Sequence, residues 1–260
     1  MAGFADGSRL SISAGDDGSL FVLDRGQALL GRIDPSTGRT LWKIDGSETG
    51  QTFIDPAWLS RPDGFYVYLT DRGTRRVWRV DYRGELRGAI ELSFAVDPVI
   101  LELAAGGQFV VYDRASGLIH LLDDSGQPLW SFPPGEGRTS AEPLRIALGP
   151  SGQRLYLLWR DTPHLTVVTL FGRRSRSVSV DPGLPGEVIA MAAAGSGDNT
   201  VLALLTSAGG LFRLDAWTGG LTEMDASIPE PVDICGGSRG FFVLSETELA
   251  VHRIELDGGQ

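Results

Sequence analysis

The stretch DGFYVYLTDRGTRRVWRVDYRG, residues 63–84, decides the fold of this chain. Apolar and aromatic side chains dominate residues 65–70 and supply Val77, Trp78 and Val80 of residues 76–81, which predicts two β-strands because such residues pack well in a sheet. A loop that begins with Asp71 and Arg72 separates the two runs, and a glycine-containing turn follows the second. Glycine and aspartate supply the backbone freedom and the local hydrogen bonds that tight turns need. The stretch therefore predicts an antiparallel strand pair that leads into a further strand.

The same pattern recurs along the whole chain. The glycines that precede the strongest apolar runs are spaced by 46, 43, 45, 45 and 43 residues. They are Gly18, Gly64, Gly107, Gly152, Gly197 and Gly240. A period of this length, made only of short strands, is typical of a β-propeller in which each repeat forms one blade. A single blade leaves both faces of its sheet uncovered, whereas six blades in a ring cover one another.

We therefore predict an all-β fold, a six-bladed β-propeller of four-stranded antiparallel blades that forms a single domain over residues 1–260. The predicted blades span approximately residues 8–46, 54–93, 97–133, 142–181, 187–226 and 230–260. The last repeat ends before its fourth strand, so we expect residues 2–6 to supply it. The N- and C-terminal segments would then close the ring and leave no open sheet edge.

Composition and charge restrict the classes of function. The net charge is −10, which disfavours nonspecific nucleic-acid binding because that binding depends on neutralising phosphates. The single cysteine, Cys235, lies among alternating apolar residues, and we expect a buried, inert thiol. The N-terminus lacks a basic segment followed by an apolar core, and no apolar run reaches membrane-spanning length. We expect a soluble cytoplasmic protein that does not insert into a membrane.

Residues 63–84 resemble an NHL repeat: Gly64 opens an aromatic strand that ends in Asp71, Arg76 and Val77 follow, and Gly84 closes the unit. The third repeat matches this pattern in order through Gly107, Val110, Tyr112, Asp113, Ile119 and Gly126. Residues 34–42, DPSTGRTLW, resemble the repeat of quinoprotein-like propellers. NHL-type propellers are mostly noncatalytic binding platforms, and this is the function that the resemblance implies. Quinoprotein dehydrogenases are much longer rings, so the resemblance does not imply their cofactor.

An acidic residue recurs at the start of the first strand of five repeats. These residues are Asp55, Asp97, Glu142, Glu187 and Glu230. Because the first strand of a blade lines the central channel, we expect them to encircle one mouth of that channel. Carboxylates in such a ring raise one another's pKa, and a Ca²⁺ or Mg²⁺ ion or a basic ligand would relieve the repulsion. The alternative is that each carboxylate caps a backbone N–H and shapes its loop.

Arginines recur in the loops between the second and third strands, on the same predicted face. Arg25, Arg72 and Arg114 each follow an aspartate. One interpretation is a rim of arginines that binds a carboxylate or a peptide. The other is that the aspartate fixes its loop and the arginine pairs locally. The basic run at residues 173–176 likewise fits either an acidic partner or a solvated sheet edge.

These patterns favour a noncatalytic propeller, a module or subunit of a larger assembly, that docks a protein or peptide partner on its loop face. We expect it to need no cofactor. The alternative is a divalent-metal-dependent hydrolase that resembles the lactonase group, with its metal at the channel mouth. Those enzymes use asparagines as well as carboxylates, and the only asparagine here is Asn199. Nucleic-acid binding is the third and weakest hypothesis. The histidines His120, His164 and His252 lack metal-ligand spacing, and we expect structural roles for His120 and His252.

Overall fold

A computed structural model describes residues 10–15, 17–47, 53–60, 63–134, 143–159, 164–170, 174–180, 183–196, 199–246 and 250–256. Each repeat forms a sheet in which consecutive strands pair antiparallel. The chain divides into two compact units, Met1–Pro133 and Pro134–Gln260. The number of sheets and their internal strand order are those of a six-bladed β-propeller, which confirms the predicted fold class.

The first unit contains three four-stranded blades. The first blade consists of β1 (Leu10–Ala14), β2 (Leu20–Asp24), β3 (Leu29–Ile33) and β4 (Thr40–Asp45). The second consists of β5 (Pro56–Leu59), β6 (Tyr66–Asp71), β7 (Arg76–Asp81) and β8 (Leu86–Glu91). The third consists of β9 (Pro98–Leu103), β10 (Phe109–Asp113), β11 (Leu118–Leu122) and β12 (Pro128–Phe132).

The second unit contains the other three blades. The fourth consists of β13 (Pro143–Leu148), β14 (Arg154–Trp159), β15 (His164–Thr169) and β16 (Arg174–Ser179). The fifth consists of β17 (Val188–Ser196), β18 (Asn199–Thr206), β19 (Gly210–Leu214) and β20 (Leu221–Ser227). The sixth has three strands within the described residues: β21 (Pro231–Gly236), β22 (Gly240–Ser245) and β23 (Val251–Glu255). The predicted closing strand at residues 2–6 lies outside the described residues.

The burial of each strand follows its place in the blade. Every residue of β2 is buried, whereas the fourth strand β4 alternates between exposed and covered residues. One face of β2 is covered because the second blade packs against it. One core cluster joins Phe21 and Leu30 of the first blade to Leu69 and Val80 of the second. Facing apolar sheets thus supply the main stabilisation, since removing apolar surface from water is the dominant favourable term in folding.

Turns between the third and fourth strands are fixed by aspartates. Oδ1 of Asp123 accepts the N–H groups of Ser125 and Gln127, each at 2.9 Å. In the fifth blade Oδ1 of Asp215 accepts N–H groups of the next turn in the same way, at 2.7 and 2.9 Å. Bonds from the Ser125 hydroxyl and from turn N–H groups hold the pKa of Asp123 below its ordinary value. The bonds from turn N–H groups do the same to the pKa of Asp215.

Arginines connect neighbouring blades through the same turns. Arg32 donates to the carbonyl oxygen of Tyr82 at 3.0 Å, and Arg79 donates to that of Asp124 at 2.7 Å. Tyr82 directly follows β7, the third strand of the second blade, and Asp124 is the second residue after β11, the third strand of the third blade. These contacts join residues 50 and 45 positions apart, so they depend on how the blades pack.

The observed strands follow the order expected from the repeat, and the largest extensions lie in the fifth blade, where β20 ends at Ser227 and not at the predicted residue 224. The strands β17 and β18 are longer than the predicted runs 188–193 and 200–206. The extension is held by the neighbouring blade, because the N–H of Gly195 donates to the carbonyl oxygen of Gly237 at 3.1 Å. None of the described residues belongs to a helix long and apolar enough to cross a membrane.

Candidate functional site

At one end of the second, third, fifth and sixth blades, the loop after the second strand lies against the residue that precedes the first strand. The N–H of Arg72 donates to the carbonyl oxygen of Asp55 at 2.9 Å, and the N–H of Arg114 donates to that of Asp97 at the same distance. The fifth and sixth blades repeat the bond through the pairs Ser207–Glu187 and Glu246–Glu230, at 2.8 Å each. We call this end of a blade its loop end. The acidic residue whose carbonyl oxygen accepts the bond occupies the pre-strand position, and the residue whose N–H donates it occupies the loop position.

The last residue of the second strand is a buried polar side chain in five blades. These residues are Asp24, Asp71, Asp113, Thr206 and Ser245. Asp71 accepts the N–H groups of Ile54, Asp55 and Gly73 and the hydroxyl of Thr74, at distances between 2.7 and 3.2 Å. This single carboxylate therefore fixes both the loop and the chain segment that enters β5.

Asp113 plays the same part in the third blade. Its Oδ1 accepts the N–H of Asp97 at 2.7 Å. Burial raises the pKa of Asp113, but this hydrogen bond from Asp97 and bonds within the loop outweigh burial and leave the pKa below its ordinary value. The carboxylate is therefore ionised at neutral pH, and its charge is balanced by backbone N–H groups.

Predicted acidic and arginine positions meet in the second and third blades. Nη2 of Arg72 lies 2.9 Å from Oδ1 and 2.7 Å from Oδ2 of Asp55. Arg114 holds Oδ2 of Asp97 through Nε at 2.7 Å and Nη2 at 2.6 Å. Arg72 also reaches across the blades, with its Nη1 at 3.9 Å from Oδ1 of Asp97. The four side chains thus form a row in which carboxylates and guanidinium groups alternate. This arrangement agrees with the local-pairing interpretation, because two of the predicted carboxylates each pair with a specific arginine.

Exposed aliphatic residues accompany these ion pairs, and the sequence analysis missed them. Ile54 and Val96 directly precede the two paired aspartates, and they are 65% and 68% exposed. The side chain of Ile54 covers Gly73, since a Cβ built on that glycine would lie 2.5 Å from the Ile54 Cβ. The signal was present in the sequence: an apolar residue precedes the recurring acid in both repeats.

The second unit uses other side chains at the same positions. The N–H of Glu187 donates to the Ser207 hydroxyl at 3.1 Å, and the Ser245 hydroxyl donates to the carbonyl oxygen of Pro229 at 2.8 Å. Glu230 has a left-handed backbone, with φ of 44°. The loop position holds Ser207 and Glu246 where the second and third blades hold arginine.

Other predicted positions fall outside this arrangement. Glu142 lies outside the described residues, whereas Arg25 is exposed in the loop after β2. Among the residues that the structure describes, no three histidine, cysteine, aspartate or glutamate side chains are grouped so that they could hold a metal ion. Cys235 is buried as a free thiol.

The remaining candidates take part in local packing. His120 is buried and its Nδ1 lies 2.7 Å from the Ser131 hydroxyl. Burial lowers the pKa of His120, while the charge of Asp113 opposes that shift. In the basic run, Arg176 stacks over Trp217 at 3.8 Å and donates to the carbonyl oxygen of Ala216 at 2.5 Å. This arginine therefore connects the fourth and fifth blades, and Arg173 lies outside the described residues.

Comparisons with known proteins identify the fold. No protein-family model matches the chain. No curated protein matches it. Among solved structures, a selenomethionine-substituted virginiamycin B lyase from Staphylococcus aureus has a TM-score of 0.64 at 16% identity, over 95% of this chain and 80% of the lyase chain. The β-propeller domain of Cps50 (Swd1) from Myceliophteria thermophila has a TM-score of 0.62 at 14% identity, over 98% of each chain.

A third structure, hydrazine synthase from Kuenenia stuttgartiensis, has a TM-score of 0.64 at 12% identity and covers 100% of this chain and 99% of that one. At these identities the similarity shows the propeller fold alone. Two of the three structures are named as different enzymes, a lyase and a synthase, as expected when function belongs to a site rather than to a fold.

Proposed function

We propose that this chain is a noncatalytic binding propeller that docks a protein or peptide partner on the loop ends of its blades, as a module or subunit of a larger assembly. The observation that carries the proposal is the exposure of Ile54 and Val96 beside mutually paired charges. Protein interfaces combine an apolar centre with arginines and satisfied polar groups. The loop ends of the second and third blades present this combination on a backbone that buried aspartates hold in place.

The charges at these loop ends weigh against a divalent cation there. Asp55 and Asp97 would have to exchange Arg72 and Arg114 for the metal, since each arginine occupies oxygens that a metal would need. Hard cations take six or more oxygen ligands. The hydrolase alternative therefore depends on Glu187 and Glu230, where the loop position holds no arginine.

Site-specific photo-crosslinking tests the proposal. A benzophenone side chain is placed at Ile54 or, as a control, at Phe65, which is exposed at the opposite end of the second blade. We expect a discrete crosslinked partner from the native source with the probe at Ile54 and none at Phe65. Excess wild-type chain should compete, and excess chain carrying Ile54→Ser and Val96→Ser should not. Equal crosslinking at both positions, or none at either, would contradict the proposal.

Calcium titration separates the two candidate functions. A cation at one hundred times its Kd stabilises the folded state by about 2.7 kcal/mol, which is roughly 5–10 °C in Tm for a domain of this size. The proposed function expects a shift below about 1 °C with CaCl2 or MgCl2. A large shift that Glu187→Gln abolishes would favour the hydrolase instead.

A further inference from the structure

The loop between β6 and β7 presents a guanidinium with no partner among the described residues. Arg75 is exposed, and within the described residues its side chain has no hydrogen bond or ion pair. Its neighbours differ: Arg72 binds Asp55, and Arg76 pairs with Glu91 at 2.9 Å. Arg75 therefore leaves one uncompensated positive charge in a loop of a chain whose net charge is −10.

The backbone of Arg75 is fixed at both ends. Its N–H donates to the carbonyl oxygen of Arg72 at 3.3 Å, and its own carbonyl oxygen accepts the N–H of Leu92 at 2.9 Å. Its φ of 53° lies in the left-handed region, as do those of Ala28 and Gly117 at the same place in the first and third blades. Ala28 shows that the loop adopts this conformation without a charged side chain. The left-handed backbone therefore does not explain why an arginine stands at position 75.

Exposed aliphatic side chains belong to the segments that contact this loop. Ile54 covers Gly73 of the same loop, and Val96 precedes the aspartate that Arg72 reaches in the next blade. Arg72 therefore joins the two pre-strand positions whose exposed neighbours are Ile54 and Val96. An exposed cation and two exposed aliphatic side chains therefore belong to this loop and to the pre-strand segments that contact it.

We propose that Arg75, Ile54 and Val96 form a subsite for an acidic peptide segment, in which a carboxylate pairs with Arg75 and an adjacent aliphatic side chain packs on Ile54 and Val96. This inference rests on the proposed function and names the chemistry of the partner. Arginine suits this role because its planar fork of donors matches a carboxylate with two parallel hydrogen bonds. Basic or purely apolar segments lack the complement to Arg75, and the acidic remainder of the chain attracts basic segments to other surfaces.

Selection of short random peptides displayed on phage against the full chain tests the subsite, with affinities then measured by fluorescence anisotropy. We expect selected peptides to carry an Asp or Glu beside a Leu, Ile or Val. Arg75→Gln and Ile54→Ser should each weaken their binding by about tenfold, as truncation of an interface anchor does. Replacing the acidic residue of the peptide by its amide should have the same effect, and added salt should weaken the wild-type complex.

Matched controls lie at the other end of the same blade. Arg83→Gln removes an exposed charge and Phe65→Ser an exposed apolar side chain, and neither should change the affinity. If Arg114→Gln or Glu187→Gln weakens the binding of the selected peptides and Arg75→Gln does not, the proposed subsite is wrong. Docking on the loop ends would still be supported. If only Phe65→Ser weakens peptide binding, or if no peptide is selected, both the subsite and docking on the loop ends are contradicted.

Discussion

The loop ends of the second and fifth blades share one backbone hydrogen bond and differ in every side chain that surrounds it. In the second blade a buried aspartate, Asp71, receives four hydrogen bonds, and Arg72 pairs with Asp55. In the fifth blade Thr206 and Ser207 occupy the positions of Asp71 and Arg72. The comparison teaches that the repeat requires the backbone bond, whereas side chains can differ between blades and are available for recognition.

Replacing the buried aspartate should have the largest effect. Asp71→Ala removes the acceptor of three N–H groups and one hydroxyl, and we expect the free energy of unfolding to fall by about 3 kcal/mol. The matched change Thr206→Ala removes one long bond to the Gly210 carbonyl oxygen, at 3.3 Å, and should cost about 1 kcal/mol. Urea denaturation measures both. Equal losses would mean that the two loop ends are held equally well.

A clash at the end of the fifth-blade loop should have the next largest effect. Gly209 has a φ of 85°, and a Cβ there would lie 2.2 Å from the Ile228 carbonyl oxygen. Gly18 has a similar φ of 81° with open space around it. We expect Gly18→Ala to cost about 1 kcal/mol from backbone strain alone and Gly209→Ala roughly 2–3 kcal/mol. If both variants lose a similar free energy of unfolding in thermal denaturation, the fifth-blade loop relaxes as freely as the loops that carry Ala28 and Arg75.

The ion pair of the second blade should give the smallest effect. A double-mutant cycle of Arg72→Ala and Asp55→Ala should yield a coupling of about 0.5–1 kcal/mol, since Arg72 is partly covered and touches two carboxylates. The more exposed pair Arg76–Glu91 serves as the control and should yield about 0.3 kcal/mol or less. High salt should reduce both couplings. A larger coupling energy for Arg76–Glu91 would show that the partly covered pair Arg72–Asp55 is not the stronger of the two.

Much of the fold could be predicted because its signals are local. Apolar runs between turn residues placed β7, β11 and β12 at their observed bounds. The extension of β17 could not be predicted, because Gly195 and Ser196 have the composition of a turn, and they are held in a strand by pairing with Thr200 and Asn199 and by the bond from Gly195 to Gly237 of the next blade.

The candidate site was predictable in part. The recurrence of acid and arginine identified Asp55, Arg72, Asp97 and Arg114, but two interpretations remained open until their distances were known. The exposure of Ile54 was not predictable, because an isolated isoleucine before a strand is as often buried as exposed in a packed sheet.

The sequence by itself determined the repeat, the strands and the turn chemistry, because each depends on residues within a few positions of one another. Only the tertiary structure decided which charges neutralise each other and which side chains stay exposed. Arg72 meets a carboxylate of its own blade and one of the next, while Arg75, three residues later, meets none in the part of the chain that the structure describes. Those outcomes depend on contacts between blades, where a change of a few ångströms decides whether an arginine is paired or is available to a partner.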